Sequence, residues 1–225
     1  MTTACTATAP AAFSPRPLAW LDGRMPGWQS RQLAAMLSRA GRSRRGVVGA
    51  ELAWSRHLRS GGSREDDIAA FAIAYGNASR PPHPRALASA SLELWLDHAA
   101  RAGTPGQFAD AVSECILAAA EPGSVSGDAP EHALRSADLA LLYLAGSRDE
   151  VDAELDGLRR DYPQVGDLEF EAHLSGTMHT LLLSPAVFRT EPMRHLERKA
   201  RANAARVFSV AGRTLSRTVH AIPFN

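Results

Sequence analysis

The sequence predicts an all-α protein with a single folded domain. Apolar residues recur at helical spacing through nearly every segment, and none alternates convincingly over strand length. Pro and Gly divide these segments at distances that suit short loops between antiparallel helices. Met1 to Pro17 is rich in Ala, Thr and Pro but has no basic start and no sustained apolar stretch. Residues 1–26 are therefore expected to form a flexible leader and not a signal peptide. The helical domain is expected over 27–210, followed by a tail over 211–225.

After the Pro26-Gly27 break, Leu33, Met36 and Leu37 predict a helix. Val47, Ala50, Trp54 and Leu58 share a face and predict a second, which Gly61-Gly62-Ser63 ends. Ser63 is placed to cap the next helix. Glu65, Asp66 and Asp67 fill its first turn, where the positive end of the helix dipole favours acids. Ile68, Phe71 and Tyr75 form its apolar face. Beyond the Pro81-Pro82-His83-Pro84 loop, Leu92, Trp95, Leu96 and Ala99 define another helix. Thr104-Pro105 reads as an N-cap and first-turn pair for a helix turning Phe108, Val112, Cys115, Ile116 and Ala119 inward. Leu134, Ala137, Leu141 and Leu144 mark the next. Three more helices are expected, from about Asp149 to Asp161, from Asp167 to about Leu183, and from Met193 to about Ser209.

The chain has 225 residues, enough to bury one core, and its 45% apolar and 22% charged residues are ordinary for a globular protein. No apolar run approaches the roughly 18 residues a transmembrane helix needs, so no membrane partner is expected. Cys5 lies in the leader and Cys115 in a helical pattern, so no disulfide is expected and a reducing, cytoplasmic setting fits best. The net charge of +1 is unevenly spread. Residues 1–64 hold ten Arg against Asp22 and Glu51, a balance of +8, which leaves −7 for residues 65–225. Arg39, Arg42, Arg44 and Arg45 are the densest basic cluster. They suit a phosphate or nucleic-acid surface, or the packing of a basic part against the acidic remainder of the chain. No aromatic residues or binding motif accompany them, so nucleic acid is not the expected partner. Arg also outnumbers the single Lys199 by 24 to one, a ratio that looks like codon bias.

The last third carries a more specific pattern. It contains Ser136-Ala137-Asp138-Leu139, then Arg159-Arg160-Asp161-Tyr162, Phe170, Val187 to Thr190, and Ala200-Arg201-Ala202-Asn203. In that order and spacing these pieces resemble the C-terminal half of a bacterial family of predicted metal-dependent HD-superfamily phosphohydrolases. The resemblance covers about a third of the chain and implies an HD-like helical bundle. It also implies a divalent ion held by His and Asp, which lowers the pKa of a bound water and clamps a phosphate oxygen. Ser136 replaces the first acid of the family's Asp-Ala-Asp-Leu, and His173-Leu174 stands where a Gly-Arg pair is expected. Upstream, Ala69-Ala70-Phe71-Ala72-Ile73-Ala74-Tyr75 lies where the family shows Trp-Phe-His-Asp-x-x-Tyr. Phe71 and Ala72 thus occupy the His-Asp positions, and neither side chain can ligate a metal. The Asn-Glu motif has no counterpart near Pro81 to Ser91, and Arg44 to Gly49 lacks the early histidines.

The resemblance therefore implies a degenerate member with no catalytic residue and no expected cofactor, Asp138 being the one vestigial metal ligand. Such a protein would serve as a ligand-binding or protein-interaction module, its partner an unknown protein or a small anionic ligand. The alternative is a metal-dependent phosphohydrolase with ligands rearranged around Asp138, drawing on His57 or His83 and a divalent metal. Asp138 falls on the apolar face of its helix, where a carboxylate must be paired or hydrogen-bonded. An Arg, His or backbone partner satisfies that need as well as a metal does. Asn203 shares a face with Leu196, Ala200 and Val207 and reads as an interior amide bonded to a neighbouring helix or loop. Cys115 reads as core. The other histidines show no metal-binding spacing.

Overall fold

The structure, a computed structural model, describes residues 68, 71–73, 75, 76, 81 and 83–221, with side chains as far as Thr214. The helices expected around Leu33 and Val47, the Gly61-Gly62-Ser63 turn, the Arg39 to Arg45 cluster, Cys5 and His57 lie outside the described residues. Within them there is no strand, and the architecture is all-α. Six helices follow in order: α1 (Leu87–Arg101), α2 (Gly106–Ala120), α3 (Glu131–Ala140), α4 (Arg148–Asp161), α5 (Asp167–Leu183) and α6 (Glu197–Ala221). Short 3-10 turns at Pro84–Ala86, Pro122–Ser124, Leu142–Ala145 and Glu191–Leu196 join or precede them. No described helix is long and apolar enough to cross a membrane.

The upstream helical residues supply the centre of one end of the core. Phe71 is fully buried and lies 5.7 Å, centroid to centroid, from both Trp95 and Phe108, while Tyr75 lies 5.2 Å from Trp95. The Trp95 indole N–H donates to Ala109 O at 3.0 Å, which ties α1 to α2. On α1 the buried stripe is Ser91, Trp95 and Ala99, each four residues apart. Leu96, expected to point inward, is 46% exposed. It lies about 100° around the helix from Trp95, and Ser91 takes the interior position instead.

Between α1 and α2 the chain reverses at Gly103, whose φ of 61° is the left-handed value that glycine adopts without strain. Gly103 N–H bonds Ala100 O and Thr104 N–H bonds Ala99 O, the paired closure of a Schellman turn. This corrects the expected start of α2. Thr104 spends its N–H on closing α1, its hydroxyl caps nothing, and α2 begins at Gly106 with Pro105 as its flanking residue. Phe108, Val112, Cys115 and Ile116 are buried as expected, with Ala118 deeper than Ala119.

The opening of α4 has a reciprocal cap, Glu150 N–H to Ser147 Oγ at 3.3 Å and Ser147 N–H to Glu150 Oε2 at 2.6 Å. α5 and α6 form the most extensive helix pair. Small residues permit their approach: α6 buries Ala200, Ala204, Val207 and Ala211 along one face, against Phe170, Leu174, Met178 and Leu181 of α5. The last helix starts at Glu197, after the 3-10 turn holding Met193, and continues to Ala221 instead of ending near Ser209. It thus runs through most of the segment expected to be a tail.

Candidate functional site

A cavity of about 650 Å³ opens among the described helices. Its walls come from the upstream helical residues, the start of α1, the ends of α2 and α3, and the facing sides of α4 and α5. The space exists because small residues meet there. Ala72, Ala88, Ala119, Ala140, Ala172 and Gly176 all contribute to the lining. Gly176 is the plainest case, since a Cβ added there would have nothing within 4 Å. An interior helical glycine costs about 1 kcal/mol relative to alanine, and here it leaves a bare strip of α5 beside the space.

Two basic side chains belong to the lining. His173 of α5 is half-buried, and Arg85 at the entrance is exposed. Burial first, then the charges of Arg85 and His83, hold the His173 imidazole below its ordinary value. His83 itself engages Glu169 through Nε2 at 2.8 Å, and its Nδ1 accepts the Arg85 N–H at 3.0 Å. Among the described residues, the Arg85 guanidinium has neither a hydrogen bond nor an ion pair. Elsewhere in the lining, Tyr143 is pushed well above its ordinary value by burial and by the Glu154 charge. Ser136 and Tyr162 also belong to the lining with hydroxyls shut off from solvent, and the Tyr162 hydroxyl has no hydrogen-bond partner. The Ser136 hydroxyl lies beside the Cys115 thiol, which burial pushes up to about 12. Cys115 is a core residue there, its thiol donating to His132 O at 3.3 Å.

The remaining motif residues form a set of latches between side chains and distant backbone. Asp138 is fully buried. Its Oδ1 accepts from Arg189 N–H at 2.8 Å, and its Oδ2 accepts from Thr190 N–H at 2.7 Å and the Thr190 hydroxyl at 2.6 Å. Burial raises the Asp138 carboxyl above its ordinary value, while these three donors pull it back toward ionisation. Arg189 in turn donates to Pro122 O at 2.6 Å. Glu197 accepts the N–H groups of Val187 and Phe188, and Arg201 donates to the carbonyls of Leu182, Ser184 and Pro185. Asn203 donates to Leu144 O at 2.8 Å and Gly146 O at 3.1 Å. Arg159 bonds Tyr162 O and Asp167 and lies over the Phe170 ring, 5.2 Å from its centroid. Pieces scattered over the last third of the sequence are thus partners in space.

Asp138, the one residue expected as a vestigial metal ligand, is not part of the cavity lining. His83 shares none of its partners, and His57 lies outside the described residues. Among the described residues, no three or more His, Cys, Asp and Glu side chains converge as a metal site would require. Phe71 sits in the aromatic core, whereas Ala72 faces the cavity. Sequence reasoning missed Arg85 and Gly176 altogether. The signals were a glycine inside a helical run and the His173-Leu174 departure from the family pattern. Comparison of the chain with protein families, curated proteins and solved structures finds no match.

Proposed function

We propose that this chain is a catalytically degenerate HD-like domain that works as a ligand-binding module, with the cavity as its binding site. One observation carries the reading: two altered motif positions, Ala72 and Ser136, line the cavity, while the retained acid Asp138 does not. The resemblance calls for a ligating Asp at Ala72 and for an acid at Ser136, whereas Phe71, at the His position, lies in the aromatic core. Asp138 instead spends both carboxylate oxygens on Arg189 and Thr190. At those two positions an alanine methyl and a neutral serine hydroxyl offer a divalent ion no anionic or imidazole ligand. The volume falls in the roughly 300–1,000 Å³ range of small-molecule sites.

The test is metal analysis of the purified protein together with hydrolysis of p-nitrophenyl phosphate in Mn²⁺ or Mg²⁺. The expected result is no stoichiometric metal and no metal-dependent turnover. One equivalent of tightly held metal, lost from an Asp138→Ala or Asp138→Asn variant that still unfolds cooperatively, would overturn the proposal. It would establish the phosphohydrolase with rearranged ligands in its place.

A further inference from the structure

The cavity differs in character from end to end. Ile73, Ile116, Leu139, Leu155 and Leu158 give it an apolar body. At its entrance Arg85 presents a guanidinium that no described residue neutralises, with His173 close enough to feel its charge. Two carboxylates also belong to the lining, Glu121 and Glu154. Neither is among the charges acting on His173, whereas Glu154 acts on Tyr143. Glu169, the other nearby acid, is engaged by His83. The Arg85 side of the cavity is therefore cationic, and apolar side chains supply the larger part of the remaining wall. An arginine that no described residue pairs, beside a mainly apolar wall, is matched by a ligand with an anionic head and an apolar body.

We infer that the cavity binds a small organic anion, its head held by Arg85 and His173 and its apolar body lying along the bare strip of α5 at Gly176. The inference rests on the ligand-binding reading above and names the chemistry of its ligand. Arg85 supplies a planar fork of donors for a carboxylate, sulfonate or phosphate group. His173 supplies one further N–H, and protonation of its ring adds a second charge. Gly176 leaves room for an aromatic or branched body where any other residue would fill the space.

A matched pair of fluorescent probes tests this directly: 1-anilinonaphthalene-8-sulfonate, and N-phenyl-1-naphthylamine, which has the same ring skeleton without the sulfonate. The sulfonate probe should bind saturably at one equivalent, and roughly tenfold more tightly than the neutral one, as expected of one charge-assisted contact. Arg85→Ala should remove that difference and leave binding of the neutral probe unchanged. Arg101→Ala, at an exposed arginine paired with Asp97, should change neither. Gly176→Phe should abolish binding of both probes while the protein still unfolds cooperatively, because the new ring occupies open space on a helix that tolerates it. Equal binding of the two probes, blocked by Gly176→Phe, would overturn the anion inference and leave the ligand-binding reading intact. Failure of both probes to bind the wild-type protein, or binding indifferent to Gly176→Phe, would remove the cavity as a ligand site and take both proposals with it.

Discussion

The latched shelf of the C-terminal third and the cavity wall beside it are built on opposite rules. On the shelf, Asp138, Glu197, Arg201 and Asn203 each bond backbone groups outside their own helix, those of Asp138 and Asn203 more than 50 residues away. Around the cavity, small residues leave space, the Tyr162 hydroxyl lacks a partner and, among the described residues, the Arg85 guanidinium is unpaired. The shelf is held by side chains bonded to loop backbone, whereas Ala72 and Ser136 of the wall make no such bond. A buried N–H that loses its acceptor costs about 1–3 kcal/mol, so the shelf is under physical constraint whatever the protein does. A side chain facing a cavity is constrained only by what occupies the cavity. On the proposed reading, this contrast is what loss of catalysis from a retained scaffold looks like.

The strongest way to break the contrast is to cut a latch. Asp138→Ala leaves two peptide N–H groups and the Thr190 hydroxyl without an acceptor at a site closed to water. The expected loss is about 3–5 kcal/mol, with a drop in Tm on the order of 10 °C. Urea unfolding followed by circular dichroism measures it. A loss below about 1 kcal/mol would mean that the loop at Val187 to Thr190 does not need the carboxylate. Asp138 would then be available for another role, and the distinction between shelf and wall would fail at its central residue.

A smaller effect is expected at the wall, and it depends on pH. The His173 imidazole is held below its ordinary value by burial, then by Arg85 and His83. The fold therefore favours the neutral ring. That contribution to stability is complete above the ordinary imidazole value of about 6.5 and is lost as pH falls through the lower folded value. Wild-type protein should lose more stability than His173→Gln between pH 7.5 and pH 5, with the two unfolding curves converging at the upper end. His83 and Glu169 are unchanged in both proteins, so the difference isolates His173. The organic anion of the preceding inference should shrink the difference, because it favours the imidazolium. Parallel profiles for the two proteins would show that folding does not hold the His173 imidazole below its ordinary value.

Much of the shelf was legible in the sequence and little of the wall was. Asp138 could be placed inside because it falls three residues before Leu141 and four from Leu134 and Leu142. Its partners could not be read, since Arg189 and Thr190 are 51 and 52 residues away. Asn203 was read as an interior amide bonded to a neighbouring helix or loop; it is half-buried and bonds the turn at Leu144 and Gly146. Periodicity failed at Leu96, where two apolar neighbours on a helix compete for one interior position and the larger Trp95 takes it. It failed again at Thr104, because the Schellman closure at Gly103 used the residue that looked like a cap. The cavity leaves almost no trace in sequence. It is made of side chains that are missing or short on several separate elements, and no spacing rule describes an absence. Gly176 inside a helical run was the one local mark.

The smallest predicted effect is the sharpest probe of the wall. The Tyr162 ring is 2% exposed and its hydroxyl has no hydrogen-bond partner. Folding has therefore removed that hydroxyl from water without replacing the bond. Tyr162→Phe keeps the ring and its packing, deletes only the desolvated oxygen, and strands no donor or acceptor elsewhere. Where a tyrosine hydroxyl is bonded, its removal costs about 1 kcal/mol or more. Here the change should be within about 1 kcal/mol of zero and on the stabilising side, read by the same urea titration. A loss above about 2 kcal/mol would mean that the hydroxyl is bonded in solution, to water or to a molecule in the cavity. The wall would then share the rule of the shelf, with each buried polar group held in place by a partner.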